Sequence, residues 1–162
     1  MDHAYTKAST DTAWLSSTHG EDIQNWMNAI VSAVYHSSLI YSYQALASKE
    51  DYSTDETIKT SIARLTSEID FVTAGPVHIL SHDIFLPLFI LGTETYADEE
   101  KQTVIEGLFL KLMSTTGLWC NHTALQFLKA FWDGRNAAYH GVGRWIQFAR
   151  EHEQDNGPFL IF

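Results

Sequence analysis

Apolar residues crowd into one stretch of the chain and recur at helical spacing on both sides of it. The stretch is His82-Asp83-Ile84-Phe85-Leu86-Pro87-Leu88-Phe89-Ile90-Leu91-Gly92-Thr93-Glu94. Leu86, Leu88, Phe89, Ile90 and Leu91 leave it no polar face, so it is predicted to be a core helix enclosed on most sides. About ten residues is too short to cross a bilayer, which takes ~20. Pro87 falls near the start, where a helix tolerates the ring and the missing N–H. Gly92 follows, where it lets a neighbouring helix approach closely.

Upstream, residues 1–20 are rich in Ser, Thr and Asp and read as a loose arm that docks through Trp14. A long helix is predicted over about 21–48. Glu21 and Asp22 suit the positive end of its dipole, and Ile23, Trp26, Met27, Ile30, Val31, Val34, Leu39, Ile40 and Tyr43 recur every three or four residues. Ser53 and Glu56 then form a capping box. Behind it Ile58, Ile62, Leu65, Ile69 and Val72 make the cleanest amphipathic pattern in the chain, and Gly75-Pro76 stops it.

The central helix is expected to end near Tyr96. Asp98-Glu99-Glu100 opens the next one, with Val104, Ile105, Leu108, Phe109, Leu112 and Met113 as its buried face and Gly117 closing it. Asn121 is the expected N-cap of a helix carrying Leu125, Phe127, Leu128, Phe131 and Trp132. Asp133-Gly134-Arg135-Asn136 breaks that helix. A last one, about 142–153, carries Trp145, Ile146 and Phe148, and the tail Gly157-Pro158-Phe159-Leu160-Ile161-Phe162 is apolar enough to pack into a groove. No strand alternation or repeat appears. The fold class is all-α: one bundle of about six helices, residues 21–162, around the proline-bearing helix.

Composition narrows the function. A chain of 162 residues fits one domain, which at this size buries roughly 68–70% of its unfolded surface. The net charge of −10, with only 10 scattered basic residues, opposes non-specific nucleic-acid binding. A single cysteine, Cys120, excludes an intrachain disulfide and a multi-cysteine zinc site. The first 20 residues do not read as a secretory leader. A cytoplasmic or nuclear setting is expected, with no membrane contact.

In this order the elements resemble the regulatory domain of fungal zinc-cluster transcription factors. Val34-Tyr35-His36-Ser37-Ser38-Leu39-Ile40-Tyr41-Ser42-Tyr43 is similar to that family's long helix. Leu86-Pro87-Leu88-Phe89-Ile90-Leu91-Gly92-Thr93-Glu94 resembles its most specific core element. Leu125-x-x-Leu128-x-x-x-Trp132, then Trp145, then Phe159-Leu160-Ile161-Phe162, are similar to its closing elements. The resemblance implies an all-α domain whose helices enclose an apolar cavity. It does not carry over DNA binding, because the family's six-cysteine zinc cluster has no counterpart among these residues. It also implies a setting in fungal secondary metabolism.

The candidate chemistry is sparse. His78 and His82 share a face if helical, and His122, Glu94 or Asp133 could complete a metal site. The plainer reading has His82 or Asp83 capping the central helix, and no metal is assigned. His82-Asp83 beside an apolar run is also a candidate acid–base pair, with His122 and Asp133 as further polar candidates. Phe85, Phe89, Trp119, Phe131, Trp132 and Trp145 are the expected lining of an apolar ligand site. Glu94 is expected to meet Arg135 or Arg144. No phosphate-binding loop, nucleophile elbow or kinase motif is present, and no cofactor is called for.

Two functions follow. One is a stand-alone regulatory module that binds a small apolar molecule or a protein partner, or pairs with a second copy, without touching DNA. The other is a cofactor-independent cyclase or isomerase acting on an apolar polyketide or terpenoid in an internal pocket.

Overall fold

The computed structural model describes residues 21–46, 56–75, 83–117, 119–141 and 144–156. They form α1 (Glu21–Leu46), α2 (Glu56–Ala74), α3 (Phe85–Glu94), α4 (Glu99–Thr116), α5 (Trp119–Trp132), a 3-10 helix (Gly134–Tyr139) and α6 (Arg144–Asn156). Among the described residues there is no strand, so the fold is all-α as the periodicity predicts. The N-terminal arm, the capping box at Ser53, His78, His82 and the tail after Asn156 lie outside the described residues.

The apolar run occupies the centre. Residues from Pro87 through Thr93 are all buried, and α3 packs on α1, α2, α4 and α5. Ile84 is its N-cap and makes no side-chain capping bond, while Asp83 is exposed in the turn ahead of it. The expectation that Asp83 caps this helix is therefore corrected. Pro87 supplies no N–H where none is needed, and Leu88 N–H bonds the Ile84 carbonyl at 2.9 Å. Leu86 alone turns outward at one edge, 37% exposed.

Gly92 is the point of closest helix packing. A Cβ built there would stand 2.6 Å from Leu128 Cδ1, so α5 approaches α3 over bare backbone. Trp132 Nε1 donates to the Gly92 carbonyl at 3.0 Å and fixes the same two helices in register. The helix stops at Glu94. The Thr95 hydroxyl and backbone N–H both turn back to the Gly92 carbonyl.

α1 and α2 form the most extensive helix pair. α2 buries Ile58, Leu65, Ile69 and Val72, with Ile62 partly covered, as their four- and three-residue spacing dictates. α1 buries Ala29, Ile30, Ala33, Ser37, Ile40 and Gln44. Ile23 and Val34, expected inside, are exposed because they fall at the edge of that stripe.

Asp98 caps α4 by accepting from Lys101 N–H at 3.0 Å. Gly117 ends the helix in the left-handed region, φ 65°, and its N–H bonds the Met113 carbonyl. Val104 precedes buried Ile105 by one position, ~100° around the helix, and is 54% exposed rather than buried. α5 begins at Trp119, three residues earlier than an N-cap at Asn121 implies. Asn121 therefore sits inside the first turn, buried, with Nδ2 reaching Thr116 Oγ1 at 3.4 Å.

Aromatic rings fill the space among α3, α5 and α6. Phe89, Phe127, Phe131 and Phe148 are fully buried, and Trp145 is 6% exposed. Phe89 meets Trp145 edge-on at 5.3 Å, Phe127 meets Phe148 at 5.4 Å, and Phe131 meets Phe148 at 5.7 Å. Such edge-to-face and tilted contacts are the favoured geometries of aromatic pairs.

Candidate functional site

Three helices each turn one face toward a groove of about 610 Å3. α1 contributes Ser38, Tyr41 and Ser42, α3 contributes Leu86 and Ile90, and α6 contributes Trp145, Ile146, Ala149, Arg150 and Glu153. Each set is spaced by whole helical turns or next to one, so the lining is a consequence of helix periodicity. The groove lies within the ~300–1,000 Å3 typical of small-molecule sites. Its lining combines apolar side chains with three hydroxyls and the charges of Arg150 and Glu153.

Trp145 joins the groove to a buried polar bridge. Its Nε1 donates to Gln44 Oε1 at 2.9 Å. Gln44 Nε2 in turn reaches Thr93 Oγ1 at 3.5 Å and donates to Glu94 Oε1. The indole N–H only donates and the carboxylate only accepts, so the amide orientation of Gln44 is fixed by its neighbours. Tyr41 lies 6.1 Å from Trp145, ring to ring, and forms the α1 wall.

Glu94 thus meets Gln44 rather than the arginines expected for it. Arg135 turns instead to Asp133, and Arg144 donates to the Ala138 carbonyl at 3.2 Å. Burial, then the nearby Glu94 carboxylate, pushes the Tyr96 phenol above its ordinary range.

Among the described acid–base candidates, Asp83, His122 and Asp133 lie apart. Asp83 is exposed ahead of α3, and His122 is half-buried in the first turn of α5. Asp133 follows the end of α5, ~16 Å along the helix axis from His122. Asp133 caps the 3-10 helix and forms a two-pronged ion pair with Arg135, Nη2 to Oδ2 at 2.6 Å. That hydrogen bond, followed by the backbone bond from Arg135 N, holds the Asp133 carboxyl down at about 2. None of these three lines the groove. Among the described residues, no cluster of His, Cys, Asp or Glu is arranged to hold a metal ion.

The candidate ligand residues divide between interior and groove. Phe89 and Phe131 are core rings, and Phe85 is partly buried, edge-on to Phe109 at 6.4 Å. Trp132 braces Gly92 and borders a smaller recess beside Glu99, Glu106, Lys129 and Asp133. The Trp119 side chain lies outside the described residues. Trp145 is the member of the set that lines the groove. Tyr41, Ala149 and Arg150 were not singled out by the sequence. Their signal, a polar-edged stripe on two separate helices, is also that of an ordinary surface.

The described residues define an all-α domain with a lateral groove between three of its helices. The family described as "Fungal specific transcription factor domain" matches residues 3–159, and the chain belongs to it. No curated protein and no solved structure matches the chain. No described helix is long and apolar enough to cross a membrane.

Proposed function

We propose that the chain is a ligand-responsive regulatory domain that takes up a small apolar molecule in the groove between α1, α3 and α6. The observation that carries this reading is the double placement of Trp145. One side of the indole lines the groove, and its N–H holds the Gln44 bridge to Thr93 and Glu94. A molecule seated against the ring therefore presses on the same residue that fastens α6 to α1 and α3. Binding that favours one arrangement of α6 shifts the population toward it.

The domain acts through protein contacts rather than by touching DNA, which its net charge of −10 disfavours. Its setting is a fungal secondary-metabolite pathway, in the nucleus or the cytoplasm.

The test is a titration of the full chain with Nile red, a neutral apolar dye. Uptake saturates at one dye per chain. Leu86→Glu, at the exposed edge of the groove, abolishes uptake while helical circular dichroism is unchanged. Dye uptake that never saturates, or that Leu86→Glu leaves intact, overturns the reading. Gel shift with duplex DNA should show no retarded band.

A further inference from the structure

We infer that the groove between α1, α3 and α6 selects an apolar carboxylic acid, whose carboxylate is taken by the Arg150 guanidinium and whose body lies on Leu86, Ile90 and Ile146. This rests on the groove being a binding site and adds the chemical class of the ligand.

Ile146, Ala149, Arg150 and Glu153 share the groove-facing stripe of α6. Arg150 is the basic residue of the described lining, and it is exposed. Elsewhere in the C-terminal half, cations are engaged within the chain. Lys129 pairs with Glu106, Arg135 pairs with Asp133, and Arg144 donates to the Ala138 carbonyl. Arg150 makes no hydrogen bond or ion pair among the described residues. Its neighbour Glu151 is occupied, accepting from the Tyr139 hydroxyl and from Gln147 Nε2. Glu153 stands one turn further along the same stripe without closing a bridge to it. The groove therefore presents an unclaimed fork of N–H donors beside apolar side chains, and a carboxylate fills such a fork with two parallel hydrogen bonds.

The charge on the ligand is limited to one. A neutral molecule that fills about 610 Å3 of the groove takes water from Arg150 and returns no acceptor, which costs binding energy. A carboxylate returns it and leaves no surplus charge. A phosphate ester brings a second negative charge, which Glu153 and the net charge of −10 oppose. On the facing wall, Ser42 Oγ already donates to the Ser38 carbonyl at 2.8 Å. It offers the groove only lone pairs, which suit a hydroxyl on the ligand body and not a second anion.

Isothermal titration calorimetry on the full chain compares naphthoate with naphthalenemethanol, which share a ring system and differ in charge. Naphthoate should bind at least about tenfold more tightly, the order expected of a charge-assisted pair over its neutral counterpart. In Arg150→Gln that advantage disappears while helical circular dichroism is unchanged. Arg64→Gln, which removes the same charge from α2 outside the groove, keeps it. Glu153→Gln, which removes the opposing carboxylate, widens it. Equal affinity of acid and alcohol for the parent chain overturns the inference and leaves the groove reading standing. So does an advantage that survives Arg150→Gln, falls equally in Arg64→Gln, or narrows in Glu153→Gln. Failure of naphthoate, naphthalenemethanol and Nile red alike to bind overturns both.

Discussion

Replacing either of two helical glycines by alanine should move stability in opposite directions. Gly107 lies exposed in α4, and a Cβ there meets nothing within 4 Å. Alanine removes backbone freedom from the unfolded chain and should stabilise by about 1 kcal/mol. Gly92 makes the same gain in α3, but its Cβ lands 2.6 Å from Leu128 Cδ1 and 3.2 Å from Leu128 Cδ2. Carbon atoms rest at ~3.5–4.0 Å, so Leu128 must retreat by about 1 Å. It is fully buried and has no open side to retreat to. The helices cannot simply part, because Trp132 Nε1 holds the Gly92 carbonyl at 3.0 Å.

Overpacking of this kind costs about 1–3 kcal/mol. Gly92→Ala should therefore fall below Gly107→Ala by that amount. With a urea m-value of about 2 kcal/mol/M, the two midpoints should differ by roughly 0.5–1.5 M. Urea unfolding followed by tryptophan fluorescence measures both. Adding Leu128→Ala to Gly92→Ala should cost less than the two changes summed, since the smaller side chain makes room for the methyl. If Gly92→Ala and Gly107→Ala raise the midpoint equally, α5 does not cross α3 at Gly92, and the account of the core is wrong.

Gln44→Leu should destabilise by about 1–3 kcal/mol, because it leaves the Trp145 N–H buried without an acceptor; adding Trp145→Phe should recover part of the loss, and strict additivity of the two would dissolve the bridge. Phe127→Ala, in the middle of the ring cluster, should cost about 3–5 kcal/mol in the same urea assay. Carbon-detected NMR should place the Asp133 titration near 2, rising toward 3.8 in Arg135→Ala. Its folded value lies below its unfolded one, so its small contribution to stability is present above pH 3.8 and is lost as pH falls through 2. His36 is a base whose folded pKa is lowered below 6.5, first by burial, with Arg64 adding to it and Glu68 opposing it. Stability should therefore drop as pH falls below 6.5, and His36→Gln should flatten that slope in urea midpoints taken between pH 5 and 8.

Some of this architecture could be read from residue order, and some could not. The proline-led run gave itself away because a helix apolar all round has nowhere to go but inside, and Gly92 within it signalled close approach. Local periodicity also set α2 and its buried stripe. It failed where a neighbour decides the outcome. Val104 looked buried but lies one position off the face that α4 presents. Asn121 looked like a cap because its side chain suits one, yet α5 begins at Trp119 and carries it inside. Glu94 was expected to meet an arginine as a buried acid in the core element, while Gln44, some fifty positions earlier, donates to it. The groove was least visible of all. Ser38, Leu86 and Ala149 come from three helices, and nothing local in any of them announces that the others will stand opposite.

The way α6 is attached bears on what a regulatory domain needs. Of the other elements, its backbone comes closest to the 3-10 helix that precedes it. Among the described residues it reaches the bundle through the buried rings of Trp145 and Phe148, the partly buried Ile146 and Ala149, and the hydrogen bond to Gln44. An element held by a few side chains opens at lower free energy than one zipped along its length, as α1 and α2 are. Responsive parts of proteins are drawn from that low end, because a ligand moves an equilibrium only by as much as it favours one state over the other. On the reading proposed above, a groove whose third wall is held by few side chains among the described residues can therefore convert modest binding energy into a change of surface. A pocket cut between α1 and α2 would spend the same energy against the strongest packing in the molecule.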